Sequence, residues 1–216
     1  MKERAPVISV VDDDAAARSS LRLLLKSLGL AATAYDSAAA FLAAFDPAQP
    51  GCLLLDIRMP AMSGLELQQI LNQRGLISPI VFLTGHGDVP MAVEAMQHGA
   101  FDFLQKPFRD QDLLDRVQRA LAKDRSLREE QRGQEYIRQR LDSLTGREHD
   151  VLDLVATGAP NKVIAHRLGI SQRTVEIHRA RVMEKMSADS LAALVHMTMI
   201  AAGGRFELSQ SSQRTF

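Results

Sequence analysis

Residues 52–60 of the chain have the sequence CLLLDIRMP. Four apolar residues lead directly into the carboxylate of Asp56, and a turn-rich loop that contains Pro60 follows. A short apolar run bounded by turn residues is typical of a strand buried on both faces, as in a parallel sheet. Open α/β sheets bind ligands at the carboxyl ends of their strands. Asp56 is therefore predicted to be a nucleophile or a metal ligand, although an Asp here could also merely cap the next turn.

Apolar segments on both sides of this strand alternate with helical patterns. Further strands are predicted at residues 7–11, 31–35, 79–83 and 101–104, and helices at residues 15–28, 37–45, 64–74, 88–98 and 110–122. Such alternation indicates a doubly wound α/β fold with a five-stranded parallel sheet and right-handed crossovers.

Composition divides the chain into two halves of opposite charge. The 216 residues suffice for two domains, with 46% apolar and 24% charged residues, as in ordinary globular proteins. Residues 1–124 hold 12 basic and 15 acidic residues, a net of −3, and residues 125–216 hold 14 and 11, a net of +3. The basic second half hints at a nucleic acid partner.

The cysteine count and the N-terminal sequence indicate a compartment. The single cysteine, Cys52, excludes an internal disulfide and suits a reducing environment. The apolar run after the first six residues is too short for a signal peptide or a membrane span. We expect a cytoplasmic protein with no membrane partner.

Polar residues follow four of the predicted strands. Asp12 and Asp13 end the first strand, Asp56 the third and Thr84 the fourth, and Lys106 follows the fifth. In a doubly wound sheet these ends share one edge, where crowded carboxylates repel one another unless a hard cation such as Mg²⁺ neutralises them. Asp56 could then attack a phosphoryl group, while Thr84 and Lys106 offset charge on the transferring oxygens.

With this set of residues, residues 5–124 resemble the receiver domain of a two-component response regulator. The resemblance implies a flavodoxin-like sheet of order 2-1-3-4-5 and phosphorylation of Asp56. It implies an Mg²⁺ (or Mn²⁺) site formed by Asp12, Asp13, Asp56 and the backbone carbonyl of Arg58, the last three being direct ligands. It also implies a cis peptide bond before Pro107.

The resemblance further implies a switch that responds to phosphate. A phosphoryl group on Asp56 would offer Thr84 a new hydrogen-bond partner, and Phe103 would rotate into the space that Thr84 leaves. Simple core packing of Phe103 is the alternative. Residues 84–96 resemble the FixJ-type subgroup. Within them His86 is expected to modulate solvent access and not to be catalytic.

Residues 125–142 are predicted to be a helical linker. They are rich in charge and contain no proline, so the last receiver helix can continue through them. Apolar positions are too sparse for a convincing heptad pattern, which favours a solvated helix over the alternative of a coiled coil.

The second half has the pattern of a helix-turn-helix. Thr145 and Glu148 form a capping box at the start of a helix that ends near Gly158. A short helix at residues 161–168 and a basic helix at residues 172–186 flank the turn at Gly169, and a fourth helix is predicted at about residues 190–202.

The basic helix has two different faces. At helical spacing one face is apolar and predicted to be buried; it carries Val175, His178, Val182 and Met186. The opposite face carries Arg173, Glu176, Ile177, Ala180 and Arg181.

Residues 143–205 resemble a LuxR-type, four-helix DNA-binding domain, followed by a flexible tail at residues 206–216. The resemblance implies that Glu176, Ile177 and Ala180 read base edges. It further implies DNA contacts, mainly to phosphates, by Lys162, Arg173, Thr174, Arg181 and Lys185. A Glu can accept a hydrogen bond from cytosine N4. Because some relatives have Lys at position 176, the target sequence cannot be transferred.

Together the two halves resemble a response regulator of the FixJ/NarL type, a transcription factor expected to be an activator. A sensor histidine kinase would phosphorylate Asp56, and the receiver would then dimerise and free the DNA-binding domain to act on promoter DNA and RNA polymerase. The receiver would support its own phosphoryl transfer and autodephosphorylation without being a conventional enzyme.

Two other classes of protein fit these residues less well. Phosphatases with an aspartyl nucleophile commonly need an Asp two residues later as general acid, and Arg58 there cannot serve in that way. The second class is a DNA-binding protein whose receiver acts independently of phosphorylation. Such a protein would not need all of the polar residues at the strand ends.

Overall fold

The computed structural model describes residues 4–85 and 89–201. The chain divides into two compact units between Glu129 and Glu130. The strands of the first unit are β1 (Val7–Val11), β2 (Ala32–Tyr35), β3 (Gly51–Asp56), β4 (Ile80–Thr84) and β5 (Asp102–Gln105). Its helices are α1 (Ala15–Ser27), α2 (Ala38–Ala44), α3 (Gly64–Gln73), α4 (Val89–Gln97) and the start of α5 (Asp110–Asp142). His86, Asp88 and the predicted tail lie outside the described residues.

The strands form one parallel sheet of order β2-β1-β3-β4-β5, which confirms the predicted fold. All six residues of β3 are buried. Leu53 and Leu55 pack in the core on one face of the sheet, and Leu54 packs in the core on the other. Apolar residues follow one another without interruption because successive side chains point to opposite faces of the sheet and both faces are buried.

The connection from β3 to α3 holds the end of β3 tightly. Gly64 begins α3, and its N–H donates to the carbonyl of Ile57 at 2.9 Å. A Cβ atom at position 64 would lie 2.3 Å from the carbonyl oxygen of Asp56, so only glycine allows α3 to start here. Ser63 and Glu66 form a capping box at the same helix end.

The predicted last receiver helix and the predicted linker form a single helix of 33 residues, α5. Residues 129–136 are all exposed, as a solvated linker would be. The linker is not solvated throughout, because Arg128 and Ile137 are buried. The chain therefore has a shorter solvated stretch than its composition suggests, and the exact domain limits at residues 124 and 142 stay predictions.

The second unit is helical, with α6 (Gly146–Ala156), α7 (Asn161–Leu168), α8 (Gln172–Met186) and α9 (Leu191–Ala201). Thr145 and Glu148 form the predicted capping box, and Ser171 caps α8. Gly169 ends α7 with a φ of 66°, which lets the chain turn directly into α8. The core of the unit includes Ile137 and Leu144 beside residues of all four helices.

Candidate phosphorylation and DNA-binding sites

The sheet topology brings Asp12, Asp56 and Lys106 together. The ammonium of Lys106 donates to Asp12 Oδ2 at 2.7 Å and to Asp56 Oδ1 at 2.6 Å. Asp12 is 1% exposed and Asp56 is 8% exposed. The backbone N–H of Lys106 donates to the Thr84 carbonyl at 2.7 Å, and the Lys106–Pro107 peptide is cis, as the resemblance implied. A cation that directly follows β5 thus bridges one carboxylate just after β1 and another at the end of β3.

Backbone amides hold the second oxygen of each carboxylate. Asp14 N donates to Asp12 Oδ1 at 2.9 Å, and Arg58 N donates to Asp56 Oδ2 at 2.8 Å. In both cases the donor lies two residues further along the chain, where the strand has ended. Each carboxylate is therefore oriented by its own loop on one side and by Lys106 on the other.

Burial and charge act in opposite directions on this cluster. Burial raises the pKa of the Asp56 carboxyl, and the hydrogen bond from Lys106 reduces that rise without cancelling it. Burial alone would lower the pKa of the Lys106 ammonium, but its bonds to Asp12 and Asp56 outweigh burial and raise the pKa. Lys106 therefore keeps its positive charge at neutral pH.

Thr84 and Phe103 lie in different environments. Thr84 is 3% exposed, and its hydroxyl donates to the Leu104 carbonyl at 3.5 Å, the limit of a hydrogen bond. Phe103 is 40% exposed, so the alternative of simple core packing is wrong. Its ring lines a surface cavity of about 540 Å³ together with residues that include Arg116, whose guanidinium donates to the Phe103 carbonyl at 3.1 Å.

The predicted metal ligands are only partly assembled. Across residues 4–85 and 89–201, no three His, Cys, Asp or Glu side chains are grouped closely enough to form a metal site. Asp13 is exposed, whereas Asp12 and Asp56 both bind Lys106. The oxygen donors of Asp12, Asp13, Asp56 and the Arg58 carbonyl do suit a hard cation such as Mg²⁺. The ligand set stays a prediction.

The predicted DNA-contacting residues are exposed, with two exceptions. The side chains of Arg173, Glu176, Ile177, Ala180 and Arg181 on α8 are exposed, as is Lys162 on α7. The guanidinium of Arg173 lies 3.7 Å from the carboxylate of Glu176. On the opposite face Val175, Val182 and Met186 are buried, whereas His178 is only half-buried.

Thr174 and Lys185 are the two exceptions. Thr174 is half-buried, and its hydroxyl lies 2.8 Å from that of Ser171 at the start of α8. The ammonium of Lys185 donates to Glu148 Oε2 at 2.6 Å and to the Ser143 carbonyl at 3.0 Å. The phosphate contact that the family resemblance implies for Lys185 would require this ion pair to break.

Glu148 is itself almost completely buried, at 2% exposure. The hydrogen bond from Lys185, followed by the one from the Thr145 N–H, lowers the pKa of its carboxyl to about 2. The same carboxylate therefore closes the capping box of α6 and holds a side chain of α8.

Two charged side chains near the ends of the linker, Arg128 and Arg140, make contacts that the sequence pattern did not reveal. Asp124 and Arg128 form a buried ion pair in the first unit. Arg140 donates to the Lys185 carbonyl at 2.6 Å in the second unit. The spacing of four between Asp124 and Arg128 was a visible signal, but such pairs also occur on exposed helices. Nothing in the sequence pointed to Arg140.

The receiver and helix-turn-helix patterns match two family models. Residues 8–118 match the response regulator receiver domain, and residues 142–198 match the bacterial regulatory proteins of the luxR family. The transcriptional regulatory protein FixJ of Azorhizobium caulinodans is 48% identical over 201 residues, 93% of this chain and 95% of that protein. The chain belongs to the FixJ-type response regulators.

Other relatives are also similar to this FixJ-type regulator over nearly the whole chain. FixJ of Rhizobium meliloti is 46% identical, covering 91% of this chain and 96% of that protein. The solved structure of the response regulator StyR has a TM-score of 0.82 and 47% identity, covering 90% of this chain and 98% of that chain. Full-length FixJ from B. japonicum has a TM-score of 0.58 and 42% identity, covering 93% and 99%.

Membership establishes the general activity. A FixJ-type response regulator is a transcription regulator in which a receiver domain, controlled by phosphorylation, accompanies a LuxR-type DNA-binding domain. A kinase and DNA are therefore its partners, and receiver domains generally depend on Mg²⁺. Within the part of the chain that the structure describes, none of the helices is long and apolar enough to cross a membrane.

Proposed function

We propose that Asp56 is the phosphoryl acceptor of this regulator and that its phosphorylation promotes dimerisation and promoter binding. The observation that carries the proposal is the bridge from Lys106 to Asp12 and Asp56 at 2.7 and 2.6 Å. It places the ammonium of Lys106 beside the carboxylate at the mouth of the sheet. A carboxylate held in this way is oriented for attack, and the cation offsets charge that develops on the transferring oxygens.

The transfer forms one bond and breaks another. A carboxylate oxygen of Asp56 attacks the phosphorus of a phosphohistidine on the kinase, the O–P bond forms, and the N–P bond breaks with the electron pair returning to the imidazole. In autodephosphorylation, water attacks the same phosphorus and releases inorganic phosphate and the Asp56 carboxylate. Asp13, Asp56 and the Arg58 carbonyl, with Asp12 nearby, would hold Mg²⁺ (or Mn²⁺), which neutralises phosphoryl charge when bound.

Thr84 and Phe103 would connect phosphorylation to the surface. The hydroxyl of Thr84 makes only a 3.5 Å bond to the Leu104 carbonyl. A phosphoryl oxygen on Asp56 is a stronger acceptor because it is charged. When Thr84 turns toward it, the exposed ring of Phe103 moves inward and the surface around it changes, which favours the dimer.

Labelling with a radioactive small-molecule phosphodonor in Mg²⁺ tests the acceptor. Wild type should be labelled, Asp56→Asn should not, and Asp115→Asn should behave like wild type because Asp115 is exposed on α5. Sedimentation with beryllofluoride should show a dimer for wild type and a monomer for Asp56→Asn. Full labelling of Asp56→Asn would refute the assignment.

We also propose that α8 enters the major groove of promoter DNA. Glu176, Ile177 and Ala180 would lie at base edges, and Lys162, Arg173, Thr174 and Arg181 at or near the phosphates. Support comes from the exposed face of α8, where an apolar residue, Ile177, is 44% exposed among charged ones. As an activator, the bound dimer would contact RNA polymerase.

Binding selection from duplexes with randomised half-sites tests this orientation. Wild type should select two half-sites about one helical turn apart. Glu176→Ala should change the preferred base at one position of each half-site, while Lys162→Ala should keep every preference. The opposite pattern would show that α8 is oriented differently in the groove.

A further inference from the structure

The last turn of α8 accepts a hydrogen bond from a side chain of α5, and a second side chain of α5 packs against that donor. The guanidinium of Arg140 donates to the carbonyl of Lys185 at 2.6 Å and lies 4.4 Å from the centre of the Tyr136 ring. The final carbonyls of a helix have no acceptor role within it and carry partial negative charge. Arg140 therefore satisfies one of these carbonyls with a cation, and Tyr136 supports that cation from one side.

The neighbouring carbonyls of α8 are used differently. The N–H groups of Ser187 and Ala188 donate to the carbonyls of Glu184 and Met183 at the same end of the helix. The Lys185 carbonyl is served by a side chain from another helix. Arg140 therefore caps α8 and also links α5 to α8.

Lys185 is held through its side chain as well. Its ammonium donates to the buried carboxylate of Glu148 at 2.6 Å and to the Ser143 carbonyl at 3.0 Å. The residue is therefore fixed at its backbone by α5 and at its tip by the start of α6. Two independent anchors at one residue restrict both the position and the rotation of the C-terminal end of α8.

We infer that Arg140 and Tyr136 are positioning residues for DNA recognition and that Lys185 is the residue through which they act. The inference rests on the proposed placement of α8 in the groove. Ile177 and Lys185 are eight residues apart, so they are separated by about 12 Å along the helix axis. A tilt or rotation that starts at Lys185 is therefore carried to the residues that face the bases.

A positioning role differs measurably from two simpler roles. A phosphate contact by Arg140 would release a counterion, so its loss would reduce the slope of log affinity against log salt by about 1 for each bound copy. A loss of folded protein would weaken binding to specific and nonspecific DNA by the same factor. A loosened α8 should instead lower the ratio of specific to nonspecific affinity and leave the salt slope unchanged.

The test uses the full chain with beryllofluoride and Mg²⁺. Two duplexes of equal length serve as probes: one selected by wild type from a randomised library, and a scrambled version of it. Arg140→Ala should lower the affinity ratio by about tenfold, the size of one lost base contact. Tyr136→Ala, which keeps the Arg140 side chain, should lower it less.

Two matched variants serve as controls. Tyr136→Phe keeps the ring, and Arg138→Ala removes an equal charge from an exposed position of the same helix; both should keep the wild-type ratio. An unchanged ratio in Arg140→Ala, or a salt slope reduced by about 1, would overturn the positioning role. If Arg140→Ala does not fold, an unchanged ratio in Tyr136→Ala overturns it. If wild type selects no sequence, the proposed DNA contacts fail and the inference falls with them.

Discussion

Arg128 Nε donates to both carboxylate oxygens of Asp124 at 3.0 Å, one turn apart on α5. Asp124 also accepts the Gly51 N–H and the Ser78 hydroxyl, each at 2.9 Å. The guanidinium of Arg128 further donates to the Gln49 carbonyl at 2.8 Å. This ion pair therefore holds α5 against the amino ends of β3 and β4, at the edge of the sheet opposite Asp56.

Removal of Arg128 should strongly destabilise the first unit. Arg128→Ala leaves the 2%-exposed carboxylate of Asp124 without its cation, and breaking a buried pair in this way costs about 3–5 kcal/mol. Urea unfolding measures the loss, with Arg125→Ala, an exposed position on the same helix, as the control. A loss below 1 kcal/mol, typical of a surface pair, would show that the contact is solvated.

The second unit should lose stability in acid through Glu148. The pKa of its carboxyl falls from 4.5 to about 2 on folding, so the unfolded chain binds the proton more readily. The stabilisation of the folded state by the Glu148 carboxylate is fully present above pH 4.5 and is lost as the pH falls toward 2. Thermal unfolding of wild type and Glu148→Gln between pH 6 and pH 2 should give curves that converge in acid. A constant difference across this range would contradict the assignment.

Asp13 should carry much of the affinity for Mg²⁺. It is exposed and free of the Lys106 bridge that engages Asp12 and Asp56, so its carboxylate can meet an incoming cation. Asp13→Ala should remove most Mg²⁺ binding in a calorimetric titration. Asp14→Asn is the matched control because it deletes a neighbouring charge but retains a good cap for α1. Wild-type affinity in Asp13→Ala would exclude Asp13 as a ligand.

Lys162 and Lys185 should respond differently to replacement. Lys162 is exposed, so Lys162→Ala should reduce the salt slope of DNA binding by about 1 for each bound copy. Lys185→Ala should leave the slope unchanged and lower the melting temperature, because it leaves Glu148 buried without its ion-pair partner. Salt titrations and thermal unfolding of both variants measure the contrast. A slope reduced by Lys185→Ala would instead support the phosphate contact that the family resemblance implies.

The sequence alone was sufficient to predict the parallel sheet and the residues that lie at the carboxyl ends of its strands. An apolar run such as Leu53 to Leu55 is typical of a strand between two layers of helices, and alternation of strands with helices then favours a parallel sheet. Parallel strands end at one edge, so Asp12, Asp56 and Lys106 had to meet there. The capping box of Thr145 and Glu148 was equally predictable, because the start of a helix depends on neighbouring residues in the sequence.

Tertiary structure decided which charged residues are buried and which partners they have. Asp124 and Arg128 show the spacing of a surface pair, but contacts with the segments before β3 and β4 bury them. Lys185 has the sequence context of a phosphate contact, yet Glu148, 37 residues earlier, binds its ammonium. The partner of a long charged side chain depends on which element packs above it. That is set by the global arrangement of helices, which local spacing and propensity do not encode.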